Sequence, residues 1–247
     1  MEFVKLILIG FFLPLFPFSM VFNVLFQRTR SWLLRMAMLI AWPLVGLWLI
    51  NTLQPVLEPG VTNWLLPWAM LTSALYALRL LVLRELNHWT AFLATSLWAL
   101  LWVPVSQGDG FRQLLPDALG FSMPLVLLVL LAHQLTLRYG AAYSELYNGI
   151  AENLPRLSTM LVLSVLAAIG TPLFPSFFSL LSFLMLASPL IASGLLLIWL
   201  LWSWSGVRIL QGFIVGTASG DSDAQDIGIV PGAMLFVALL ALLVFGV

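Results

Sequence analysis

The chain has 247 residues, 62% of them hydrophobic and 8% charged, with a mean hydropathy of +1.07. Nine arginines and Lys5 balance ten acidic residues, and cysteine is absent, which excludes disulfides, thiolate metal sites and thiol catalysis; no basic tail or patch invites nucleic acid. Crossing a bilayer takes roughly 20 apolar residues, and several stretches approach that length, so the composition predicts an all-α, polytopic membrane bundle forming a single transmembrane domain over 1–247.

The first apolar stretch, Val4 to Leu25, reads as a spanning helix rather than a cleaved signal peptide, because its apolar run is long and no small-residue cleavage site follows it. Further apolar segments lie at Ala37 to Leu53, Trp64 to Leu83, Trp89 to Val105, Ala118 to Leu137, Leu157 to Ile169, Phe177 to Ala187, Leu190 to Leu210 and Gly232 to Val247. These predict about nine helices. Tryptophans such as Trp32, Trp64, Trp68, Trp89, Trp102 and Trp204 gather toward segment ends, where an amphipathic ring suits headgroup depth.

Loop charge alternates along the chain. Arg28, Arg30, Arg35, Arg84, Arg138 and Arg156 fall on one parity, and Glu58, Asp109, Asp117, Asp221, Asp223 and Asp226 on the other. Since arginine-rich loops stay in the cytoplasm, the expectation is a bacterial inner-membrane protein with its N-terminus outside.

The segment "AAIGTPLFPSFFSLL" breaks this greasy pattern with Gly170, Pro172 and Pro175. Proline removes a backbone donor, and unpaired peptide groups survive at membrane depth only where protein or water covers them. Two readings remain open, a surface turn between helices and a discontinuous helix lining an ion path. The following serines, Ser176, Ser179, Ser182 and Ser188, share one helical face, as glue for a neighbouring helix or as a hydrated lining.

The stretch "LRYGAAYSELYNGIAENLPRLSTMLVLSVLAAIGTPLFPSFFSLLSFL" resembles the antiporter-like membrane subunits of respiratory complex I and of multisubunit cation/proton antiporters. The residues carrying the resemblance are Gly140, Gly149-Ile150-Ala151, Pro155, and the Gly-x-Pro-x-x-Pro-x-Phe of Gly170, Pro172, Pro175 and Phe177. It extends over about Leu125 to Val247, whereas residues 1–120 match only in being helical. The resemblance implies a shortened relative acting with other membrane or cytoplasmic subunits in ion-coupled transport, with energy-coupled inorganic-carbon uptake as one setting. Departures from the pattern matter too: no lysine follows Lys5, and Ser179-Leu180 stands where some members carry Gly-Glu. The alternative is a non-conducting structural or assembly subunit.

Candidate ion-path residues follow from the residues themselves. In "LRLLVLRELNH", helical spacing of four places Arg84 beside His88, with Glu85 next to them, so a guanidinium, a carboxylate and an imidazole share a small volume, or else form a solvated turn. His133 lies deeper, one or two turns before Arg138, as a relay or a packing residue. Asp117, following Pro116, reads as the cap of a helix start. No catalytic residue, cofactor motif or metal-ligand cluster is expected from the sequence; the expected contacts are partner subunits and the lipid bilayer.

Overall fold

The computed structural model describes residues 2–144, 146, 149–216 and 225–245. Asp221 and Asp223 lie outside the described residues. Among those described, twelve helical segments form an all-α membrane bundle: α1 Glu2–Phe12, α2 Ser19–Arg28, α3 Trp32–Leu53, α4 Pro59–Leu80, α5 Leu86–Ala99, α6 Trp102–Ser106, α7 Phe111–Tyr139, α8 Ile150–Asn153, α9 Pro155–Ala168, α10 Pro175–Leu186, α11 Pro189–Ile214 and α12 Ile229–Phe245.

Three places raise the count above the expected nine. Pro14 and Pro17 split the first apolar segment into α1 and α2, the fourth bends at Leu100–Leu101 between α5 and α6, and the short α8 stands in a loop. Four stretches are long and apolar enough to cross a membrane: Trp32–Leu53, Leu86–Ser106, Phe111–Tyr139 and Pro189–Ile214. The Leu86–Ser106 stretch is 89% buried and forms the centre, whereas α3 and α11, each 28% buried, turn most of their surface outward.

The ends of these helices are set by local chemistry. Proline opens α4, α9, α10 and α11, where its missing N–H costs nothing. Glu85 caps α5 by accepting from the His88 amide at 2.7 Å, and Gly140 closes α7 in the left-handed region at φ +80°. Asp226 caps α9 from outside it, accepting from the Arg156 amide at 2.8 Å and the Leu157 amide at 3.2 Å.

That contact corrects the charge parity. Asp226 sits at the arginine-rich end, beside Arg156, and Gln225 accepts from Arg138 there at 2.9 Å. The parity count misplaces Asp226 because it takes α9 and α10, of 14 and 12 residues, as two separate crossings. A second correction concerns Asp117: α7 begins at Phe111 with Gly110 as its cap, so Asp117 lies within the helix rather than at its start.

Candidate functional site

Two interruptions break the bundle's helices; Phe16 and Pro17 at the first and Pro172 and Leu173 at the second are exposed, while neighbouring helices donate to the carbonyls the breaks set free. In the first, between α1 and α2, Pro17 has no N–H, so the Leu13 carbonyl loses its helical donor; the Trp102 indole replaces it at 3.1 Å. Trp42 donates to the Phe11 carbonyl at 3.3 Å and Trp68 to the Phe16 carbonyl at 2.7 Å. The Phe16 amide donates to the Thr72 hydroxyl at 3.0 Å. Room for this is made on α3, where a side chain at Gly46 would meet Leu13 at 2.9 Å.

The second interruption, Ile169–Phe174, follows the same plan. Trp199 of α11 donates its indole N–H to the Ile169 carbonyl at 3.0 Å, and the Ser176 hydroxyl donates to the Ala167 carbonyl at 2.6 Å. Gly120 of α7 admits Pro175, whose Cβ would stand 3.1 Å from a β-carbon there, and Gly206 of α11 admits Ile169. Leu180 covers Gly170 itself. Ser179, 7% exposed, faces the carboxylate of Asp117 across the α7–α10 contact.

A buried hydroxyl and amide network begins at the first break. Ser19 and Tyr76 share a hydrogen bond of 2.9 Å, and Asn23 donates to Thr95 at 3.0 Å. Ser73 and Ser96 exchange hydrogen bonds with each other's carbonyls at 2.8 and 2.7 Å, and the Trp202 indole donates to Ser96 at 2.9 Å. Among the described residues, the buried side chains that carry polar groups are serines, threonines, Asn23, Tyr76 and the tryptophans Trp89, Trp98, Trp102 and Trp202; no charged side chain is buried. Such groups can orient hydrogen bonds and water, but they hold no fixed charge.

The sequence-picked residues gather at the arginine-rich end. His88 Nδ1 lies 3.1 Å from Glu85, whose other oxygen accepts from Asn87 at 2.8 Å; the His88 side chain is 38% exposed and that of Glu85 15%. Glu85 and Arg84 precede α5, so the helical spacing of four does not apply to Arg84 and His88. Instead, the Arg84 carbonyl accepts from the Ser144 amide at 2.8 Å, and Glu85 pairs with Tyr143 as an isolated bridge. His133 stacks on Trp32 with ring centroids 5.1 Å apart and planes 13° apart. Arg35, one turn along α3 from Trp32, lies over Phe26 and within electrostatic reach of Glu85.

Sequence reasoning placed the second break but missed the first, and it did not foresee that Trp42, Trp68, Trp102 and Trp199 donate to carbonyls at the two breaks. The available signal was "FFLPLFPF", in which Pro14 and Pro17 mirror the spacing of Pro172 and Pro175.

No family model matches the chain, and no curated protein matches it in sequence. Its fold is shared with a chain of respiratory complex I from Thermus thermophilus with bound NADH, at TM-score 0.81 and 22% identity over 99% of this chain and 54% of that one. A chain of the Mrp complex from Dietzia sp. DQ12-45-1b matches at TM-score 0.82 and 15% identity, over 99% of this chain and 55% of that one. A chain of the membrane-bound sulfane sulfur reductase, an archaeal respiratory membrane complex, matches at TM-score 0.81 and 16% identity, over 96% of this chain and 50% of that one. The chain therefore spans about half the length of these structural neighbours. The resemblance read from Gly140 to Phe177 holds at the level of fold, and the match includes the first 120 residues, which the motifs alone left unassigned.

Proposed function

We propose that this chain is a membrane subunit of an ion-coupled transport complex, moving protons or small cations together with partner subunits. The observation that carries the reading is the pair of helix breaks, α1–α2 and α9–α10, each with a freed carbonyl capped by an indole from a neighbouring helix. Half-helices at membrane depth are the device by which many transporters line a path. The likeness to chains of complex I, the Mrp complex and the sulfane sulfur reductase, all multisubunit assemblies, supports the same class.

In this reading the arginine-rich end faces the cytoplasm of a bacterial inner membrane and the N-terminus lies outside, in keeping with the retention of arginine-rich ends. The Glu85–His88 pair forms the proton-exchanging mouth at that end, with Arg84 next in sequence and His133, stacked on Trp32, as further candidates for the path. Energy-coupled inorganic-carbon uptake is one setting for a subunit of this class, which would drive a separate cytoplasmic catalytic subunit.

Two observations favour a second reading, a non-conducting structural subunit: Leu180 fills the space over Gly170, and no lysine follows Lys5. Mild detergent extraction of tagged protein, native mass determination and identification of its companions test the class. A stoichiometric assembly with antiporter-like or catalytic subunits is expected; a lone monomer overturns it. Ion flux by the reconstituted assembly then separates the two readings. Loss of flux in Glu85→Gln or His133→Ala with assembly intact supports conduction, and unchanged flux in both removes these residues from any path.

A further inference from the structure

Among the described residues, Asp117 is the acidic side chain set deepest into a membrane-spanning helix. Glu85 and Asp226 cap helix starts, Glu2 and Glu58 stand at or just before the first turns of α1 and α4, Asp109 precedes α7, and Glu152 belongs to the short α8. Asp117 instead follows almost two turns of α7 and is half-buried. An ionisable group held at such depth is expensive, and it marks function unless it only pairs with a fixed charge. Its partner here is neutral, the Ser179 hydroxyl of α10.

The surroundings tie Asp117 to the second break. One turn along α7, Gly120 carries Pro175 against its bare α-carbon. One turn back along α10 from Ser179, Ser176 holds the freed Ala167 carbonyl. Toward the acidic end, Asp109 lies within electrostatic reach of Asp117 and lines a cleft of about 530 Å³ with Asn51, Gln54, Ser106 and Gln107. A polar cleft of that size holds water, so water stands at Asp109 and Gly110, about two turns of α7 before the carboxylate.

We propose that Asp117 is a second proton-binding group of this chain, at the end opposite the Glu85–His88 pair, taking a proton from the acidic-end water and holding it between α7 and α10 beside the Gly170–Pro175 break. The step is a simple protonation: the carboxylate gains a proton from that water, the resulting O–H donates to the Ser179 oxygen, and release reverses both. Few charges compete. Asp109 and Arg112 flank it on its own segment; α6, α10 and α12 carry no ionisable side chain; α3, α5 and α9 carry theirs, Arg35, His88 and Arg156, at the opposite end. The proposal rests on the ion-coupled reading and names a further residue that serves it.

The test is modification with dicyclohexylcarbodiimide in native membranes, read by peptide mass. The acid O–H adds across one C=N bond of this apolar reagent, so only the protonated carboxyl is marked. The expected result is an adduct on Asp117 whose yield falls along a single-proton curve as pH rises. Asp117→Asn loses the adduct, Asp117→Glu keeps it and controls for misfolding, and Ser179→Ala moves the midpoint of the curve, which a purely structural serine would leave in place. No adduct on Asp117 at any pH, or a yield independent of pH, overturns the proposal. Because the label is read on the chain itself, a failure of the transport-complex reading is seen separately in the companion analysis.

Discussion

A β-carbon placed on Gly170 would stand 2.7 Å from Cδ1 of Leu180, so the side chain that covers the second helix break also dictates what the break may contain. Gly170 sits at φ +72°, a region that side-chain-bearing residues adopt at a cost. Gly170→Ala is expected to destabilise the chain by about 1–3 kcal/mol. Adding Leu180→Ala relieves the contact but not the backbone strain, so the double variant recovers only part of the loss in a detergent thermal melt. Full recovery would mean that the contact alone matters.

The indole caps make a second prediction. Trp199→Phe keeps the ring against Phe177 but strips the Ile169 carbonyl of its donor, an expected loss of about 1–3 kcal/mol. Trp204 is 66% exposed, so Trp204→Phe serves as the control and is expected within about 0.5 kcal/mol of the parent. Equal melting shifts for the two variants would contradict the capping role.

The hydroxyl network is expected to behave as a unit. Asn23 both donates to Thr95 and accepts from it, at 3.0 and 3.3 Å, in a site nearly closed to solvent. Asn23→Leu and Thr95→Val each remove the bonds between the two and leave the partner only its backbone bond, Thr95 to the Ala91 carbonyl or Asn23 to the Ser19 carbonyl, whereas the pair removes both groups together. A double-mutant cycle should therefore show a coupling of about 1 kcal/mol or more, with additive losses as the contrary outcome.

A pH effect is expected at the acidic end. Lys5 donates to Glu2 at 2.8 Å and the Val56 amide to its other oxygen at 3.0 Å; these bonds, the lysine first, hold the Glu2 carboxyl below its usual 4.5. A depressed folded-state value means that the tie is fully present above the unfolded value and is lost as pH falls through the folded one. Hydrogen exchange at Val56 should therefore lose protection in acid relative to neighbouring amides, and added salt should weaken the tie at neutral pH. Protection that stays constant down to about pH 2 would show that the carboxylate does not hold the α3–α4 loop.

Much of the fold was legible because its signals are local. Apolar length announced α3, α7 and α11, and the prolines at 172 and 175 announced the second break. The first break was hidden because Pro14 and Pro17 are embedded in aromatic residues, so hydropathy stayed high across them. The capping tryptophans were unreadable for a different reason: Trp102 lies 89 residues from Leu13 and Trp199 lies 30 from Ile169, and no local pattern encodes such pairings. Asp117 was misplaced because Pro116 looked like a helix start, whereas α7 simply tolerates it within its second turn.

The distance from Leu13 to Trp102 also sets a clock for biogenesis. At roughly 5–20 residues per second, the ribosome delivers the indole some 4–18 s after the carbonyl that needs it, counting the 89 residues between them. Throughout that interval the half-helix α1, only 11 residues long, is too short to settle across a bilayer and carries unpaired peptide groups. The nascent chain must therefore linger in a wet or proteinaceous shelter, the insertion machinery or an early-arriving partner, until the sixth helix emerges to release it into lipid.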